Sequence, residues 1–94
     1  MHDTVTDDAA SGRFELALGD AVAFVSYRRD GAVLHLTHAE VPPSLEGRGV
    51  GSRLVRAVLE LVRARGERVV PRCPFIAHYL ERHAQYRDLV ARPS

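Results

Sequence analysis

Three glycines at alternate positions, in Glu46-Gly47-Arg48-Gly49-Val50-Gly51, stand directly before a run of apolar residues at helical spacing. A helix exposes amide donors without intrahelical acceptors in its first turn, and its dipole puts partial positive charge at the same end. Anions bind there. Glycine permits positive φ and lacks the β-carbon that would hold a pyrophosphate away from the backbone. Arg48 and Arg53 add local positive charge. No Lys-Ser or Lys-Thr follows the glycines, which excludes a P-loop. A dinucleotide turn fails as well: Gly-x-Gly-x-x-Gly counted from Gly49 needs a glycine where Leu54 stands, and counted from Gly47 it needs one at Ser52. Two readings remain, a phosphate-type ligand seated on a helix start or a tight turn with nothing on it.

Other reactive side chains are few. Cys73 is the single cysteine, so an intrachain disulfide and a thiolate-rich metal site are excluded, and a reducing cytoplasm is the expected compartment. It lies between Arg72 and a helix opened by Pro74, two neighbours that favour thiolate over thiol. It can therefore act as a nucleophile or serve as a small apolar wall residue. Glu40, at a strand end, is either a general base acting directly or through water, or a solvated charge. Among the five histidines, His35 and His38 are expected on opposite strand faces, and His78 and His83 diverge on a helix. No metal site is expected.

The elements that must hold these residues follow from periodicity. Residues 1–12 are polar and aperiodic and read as a mobile leader, with a single domain over 13–94. Phe14, Leu16 and Leu18 alternate with polar or small residues as in a half-buried strand, and Gly19-Asp20 turns the chain into a partner strand over 21–28. Asp30-Gly31 repeats the turn signal before a third strand over 33–41, in which Leu34 and Leu36 face a core. Three antiparallel strands in meander order result. Pro42 and Pro43 stop that ladder and send the chain over the sheet end into the glycine turn. Val50, Leu54, Val58, Leu61 and Val62 define an amphipathic helix over 50–65, closed by Gly66. A short strand over 68–72 and a second helix from Pro74 to about His83 follow. Residues 86–90 return as an edge strand or a packed turn, with Phe75, Tyr79, Tyr86 and Leu89 closing the core.

Composition narrows the partners. All 13 basic residues are arginine, and against 12 acidic ones they leave a net charge of +1, so neither nucleic acid nor an anionic membrane is an expected partner. No apolar run approaches the roughly 20 residues that span a bilayer, and the start lacks the basic and apolar segments of a signal peptide.

The segment Glu46-Gly47-Arg48-Gly49-Val50-Gly51-Ser52-Arg53-Leu54 resembles the (Gln or Arg)-x-x-Gly-x-(Gly or Ala) signature of the GNAT superfamily of N-acetyltransferases, with Glu46 where Gln or Arg is usual. Val70-Pro71-Arg72-Cys73-Pro74-Phe75, Tyr79 and Arg82-His83-Ala84-Gln85-Tyr86 further resemble a small GNAT-like subfamily without the N-terminal elements of larger relatives. The resemblance implies an α+β variety of the α/β class: a mostly antiparallel sheet, a glycine turn leading into a long helix, a short strand and a second helix. It implies that acetyl-CoA or coenzyme A binds through Glu46, Gly47, Arg48, Gly49, Val50, Gly51, Ser52 and Arg53. The pantetheine arm would lie along His38, Ala39, Glu40 and Val41, where a backbone amide can polarise the thioester carbonyl. Full-length members place a tyrosine on the last helix as acid for the departing thiol, a role that maps near Leu80 and Tyr79. Cys73 would border the thioester, either accepting the acetyl group as a covalent intermediate or lining the pocket, and Glu40 would be the carboxylate nearest the amine. The implied activity is acetyl transfer to an amine, small molecule or protein, and the alternative is a non-catalytic acyl-CoA binding or sensing module.

Overall fold

The computed structural model describes residues 4–92. Its elements run β1 (Thr6–Asp8), β2 (Arg13–Leu18), β3 (Ala21–Asp30), β4 (Val33–Glu40), α1 (Val50–Ala64), β5 (Arg68–Pro71) and α2 (Pro74–Arg82), followed by a 3₁₀ segment, Ala84–Leu89. The strands form one sheet in the order β1-β2-β3-β4-β5. The first four are antiparallel neighbours, and β5 joins β4 in parallel after the α1 crossover.

Alternation places Phe14 and Leu16 of β2, Ala23 and Val25 of β3, Leu34 and Leu36 of β4 and Val69 of β5 in the core. The apolar stripe of α1 covers them with Leu54, Val55, Val58, Leu59 and Val62. Each side chain buried in this way contributes about 1.5–3 kcal/mol, so this face, rather than helix propensity, holds α1 in place. At the far end of α1 the amide of Glu67 donates to the Val62 carbonyl at 3.1 Å and that of Gly66 to Arg63 at 3.1 Å, the paired bonds of a Schellman stop. The chain end packs as a turn: the 3₁₀ segment buries Tyr86 and Leu89, and Val90 bridges Val69. Arg63 of α1 grips that segment with two bonds to Asp88, both 2.9 Å.

Two features depart from expectation. The leader expected over 1–12 supplies β1, with Asp7 opposite Phe14, and Val5 is buried; residues 1–3 lie outside the described residues. The other is a bulge in β4. Ser26 pairs with His38 but Tyr27 pairs with Leu36, leaving Thr37 as the extra residue, its hydroxyl donating to the Ser26 carbonyl at 3.2 Å. One inserted residue reverses which side chains face the core. Before it, Leu34 and Leu36 point inward; after it, Ala39 and Val41 do.

β1 is held by side chains distant in sequence. Tyr27 donates to Asp7 at 2.5 Å and Arg65 pairs with it at 2.8 Å. Burial pushes the Asp7 carboxyl up, but the bond from Tyr27 and the bond and charge of Arg65 outweigh it and hold the group below its ordinary value. A lowered folded-state pKa contributes stability above the unfolded value and loses it as pH falls through the folded one. Asp7→Asn is therefore expected to be less stable than the parent at neutral pH, with the gap closing below about pH 4. Thermal melts across that range check this, and a gap independent of pH would mean that the carboxylate charge is not what holds the clamp.

Candidate functional site

The glycine turn folds as a left-handed step into α1. Gly49 is the N-cap residue with φ 72 and ψ 14, and Gly47 has φ 79. The first helical bond runs from the Arg53 amide to the Gly49 carbonyl at 3.1 Å, so the amides of Val50, Gly51 and Ser52 have no acceptor within the helix. No side chain caps this end and no acidic residue lies in its first turn. The positive end of α1 is thus left to an external anion. A β-carbon built on Gly47 or Gly49 would meet nothing within 4 Å, which makes their open side a backbone cradle. Gly51 serves a different purpose. It is helical, and a β-carbon there would come within 2.9 Å of Cζ of Phe75, so its smallness lets that ring lie across the turn.

A second source of free backbone groups adjoins the turn. β5 accompanies β4 only as far as Leu36, opposite Pro71, and the amides of Arg72 and Cys73 then both donate to the Leu36 carbonyl, at 2.9 and 3.1 Å. Past that fork, residues 37–40 of β4 keep β3 on one side and have no strand on the other. Backbone groups of a strand alternate between its two neighbours, so those pointing away from β3 face a cleft. That cleft opens into a cavity of about 350 Å³ lined by Ala39, Val41, Leu45, Val50, Phe75 and the turn. Helix donors and strand edge therefore flank one mainly apolar space, suited to a long ligand with an anionic group at one end.

The residues named from sequence divide accordingly. Ala39, Val41, Glu46, Gly47, Gly49, Val50, Gly51 and Ser52 all line this cavity. Arg48 and Arg53 are exposed beside it. His38 and Glu40 enter only through their backbone, because the bulge turns both side chains to the opposite sheet face, where they are 56% and 59% exposed and lie 3.3 Å apart. This placement corrects Glu40 as a base within the cleft. The same bulge puts His35 and His38 on one face rather than two. Among the described residues no group of three or more His, Cys, Asp or Glu is placed to hold a metal ion.

Cys73 departs from a reactive reading. It is 7% exposed, packs within the core cluster and is not among the residues that line the cavity. Tyr79 is likewise buried, its ring stacked on His83 at 3.8 Å. Burial raises its phenol above the ordinary value, partly offset by the charge of Arg56. Tyr79 faces a separate, larger cavity of about 710 Å³, shared with Ser52, Pro74, Phe75, His78, Arg82 and His83. Phe75, expected in the core, is 47% exposed. With His78 and Arg82 it lines that cavity, a placement that sequence reasoning missed. Their spacing along α2 was the available signal, since positions 75, 78, 79 and 82 share one helix face.

Comparison with known proteins adds three findings. The family model described as GCN5-related N-acetyl-transferase matches residues 13–89. Glucosamine 6-phosphate N-acetyltransferase 1 of Oryza sativa subsp. japonica is 40% identical over 62 residues, 66% of this chain. The chain spans only 38% of that enzyme's length. The solution NMR structure of a GCN5-like candidate N-acetyltransferase from Staphylococcus aureus superposes with a TM-score of 0.70 at 27% identity, covering 96% of this chain and 89% of that one.

Proposed function

The chain belongs to the GCN5-related N-acetyltransferase family, and from that premise we propose that it binds acetyl-CoA at the glycine turn and transfers the acetyl group to an amine. One observation carries the reading: the uncapped start of α1, the open sides of Gly47 and Gly49 and the unpaired edge of β4 all border the same cavity.

Bound acetyl-CoA supplies a thioester whose C–S bond breaks as the acceptor's N–C bond forms, the proton lost by nitrogen passing to sulfur through solvent. The amides of Val50, Gly51 and Ser52 hold the pyrophosphate, with Arg48 adding charge. The outward backbone of residues 37–40 aligns the pantetheine amides as an added strand would, and an amide there faces the thioester oxygen, where developing negative charge is stabilised. Ala39, Val41 and Leu45 wall the arm with apolar surface. Tyr79, committed to its stack on His83, is assigned to the wall of the neighbouring cavity and Cys73 to the core.

Calorimetric titration with coenzyme A, run beside thiol release from acetyl-CoA across a panel of amines, tests this. Saturable binding is expected, together with stabilisation of about 2.7 kcal/mol at a hundredfold excess over Kd and thiol release that depends on the amine. A melt unchanged by millimolar coenzyme A would overturn the binding reading. Binding without release on any amine would overturn the transfer.

A further inference from the structure

The register of the sheet brings basic groups together on its uncovered face. Leu34, Leu36 and Val69 point into the core, so the residues that alternate with them point away from it. Arg28 of β3 pairs with His35 of β4, which pairs with Val70 of β5, and these side chains share the uncovered face. Arg72 follows Val70 by one alternation. Its guanidinium reaches back along the row, Nε donating to Nδ1 of His35 at 3.4 Å. Paired residues on adjacent strands hold their β-carbons about 5 Å apart, so Arg28, His35 and Arg72 form one compact basic row.

No carboxylate balances that row. Elsewhere on the sheet Arg13 pairs with Glu15 at 3.2 Å and Arg29 with Glu67, whereas Arg28 and Arg72 form no ion pair among the described residues. Glu40, the acidic group of β4, lies 3.3 Å from His38, and Asp30 stands at the far end of β3. Like charges side by side on a sheet cost stability. An anion placed between them relieves that cost, and guanidinium forks flanking an imidazole suit a carboxylate or a phosphate.

The position of the row gives such an anion a purpose. Arg72 closes the fork at which β5 leaves β4, its amide and that of Cys73 both donating to the Leu36 carbonyl. The gap that follows, along residues 37–40, has no strand to fill it and so has two mouths. The inner mouth is the apolar cavity assigned above to the pantetheine arm. The outer mouth lies on the uncovered face, with His35 and Arg72 at the fork and His38 and Glu40 beyond it. A thioester held in the gap has its inner side occupied by its own arm, which leaves the outer mouth for an amine. Resting on the acetyl-CoA reading above, we propose that the acceptor is a small amine bearing a carboxylate or phosphate, with Arg28, His35 and Arg72 holding its anion while its nitrogen enters the gap.

The test compares amines that differ by one group. Thiol release from acetyl-CoA is measured with β-alanine against β-alaninamide and with O-phosphoethanolamine against ethanolamine, each rate referred to the free-base fraction of the amine. The anionic member of at least one pair is expected to have a kcat/KM about tenfold higher or more, as one charge-assisted contact implies. Which pair shows it separates carboxylate from phosphate, and added sodium chloride narrows the ratio. Arg28→Gln and Arg72→Gln should each lower kcat/KM, through KM, more for the anionic amine than for its neutral partner. Binding is read beside turnover: in the NMR spectrum of the protein loaded with coenzyme A, the favoured anionic amine shifts the amides of Arg28, His35 and Arg72, and its neutral partner at the same concentration does not. Equal rates within both pairs, variants that slow both members of a pair equally, or anionic amines that leave those amides unmoved overturn the acceptor site. In each case saturable binding of coenzyme A leaves the acetyl-CoA reading standing. Failure of coenzyme A itself to bind overturns that reading and the acceptor site with it.

Discussion

Gly49→Val is expected to weaken coenzyme A binding about a hundredfold, a loss of about 2.7 kcal/mol, while leaving a folded protein. Gly49 holds φ 72 at the N-cap of α1. A β-branched residue in that region is a steric outlier, at a cost of at least about 1–2 kcal/mol. The strain is relieved if the peptide rotates to negative φ, and that rotation turns the amides of Val50 and Gly51 away from their common focus. Stability and affinity thus fall for linked reasons but by different amounts, because the core under α1 lies further along the helix, at Leu54, Val58 and Val62. Gly49→Asn is the informative control, since asparagine enters the left-handed region more readily and should retain much of the affinity. Full coenzyme A affinity in a folded Gly49→Val protein would place the anion site elsewhere.

Phe14→Ala is expected to cost about 3–5 kcal/mol, the range for truncating a fully buried aromatic. Phe14 is 0% exposed and its ring stacks on Tyr27 with centroids 4.6 Å apart. Tyr27 in turn donates to Asp7, so truncation opens a cavity and loosens the contact that ties β1 to Arg65. Against a total of about 5–15 kcal/mol for a domain, the loss removes much of the margin, and Tm should fall by more than about 10 °C. Phe14→Leu, which retains most of the volume, should lose far less. A melt of Phe14→Ala within a few degrees of the parent would mean that the β2 face of the core collapses around the gap.

The parts of this fold that announce themselves in sequence are those governed by local periodicity. Phe14, Leu16 and Leu18 alternate, Val50 to Val62 recur at helical spacing, and the structure places β2 and α1 on those residues. The glycine turn was legible because backbone freedom and a helix start coincide within six residues. What stayed hidden depends on distant partners. β1 is Thr6, Asp7 and Asp8, with no apolar alternation, and its contacts come from Tyr27 and Arg65. The bulge at Thr37 leaves no mark in residue type, yet it decides that Ala39 and Val41 face the cleft while His38 and Glu40 do not. Phe75 reads as core by hydropathy, and only the approach of its ring to Gly51 shows that it lies over the turn instead. The local environment of Cys73 suggests reactivity, but packing between sheet and helix decides its exposure.

The central claim is that coenzyme A lies with its pyrophosphate on the first turn of α1 and its arm along the open edge of β4. Amide chemical-shift mapping by two-dimensional NMR during a coenzyme A titration tests it most directly, because the amides in question are themselves the reporters. The account predicts that the largest shifts fall on Gly49, Val50, Gly51 and Ser52 and on residues 37–41, with a further one at Phe75, which lines the same cavity. Residues on the uncovered sheet face, such as Glu15 and Val22, should stay still. Shifts that leave the α1 start untouched, or that gather on that sheet face, would contradict it.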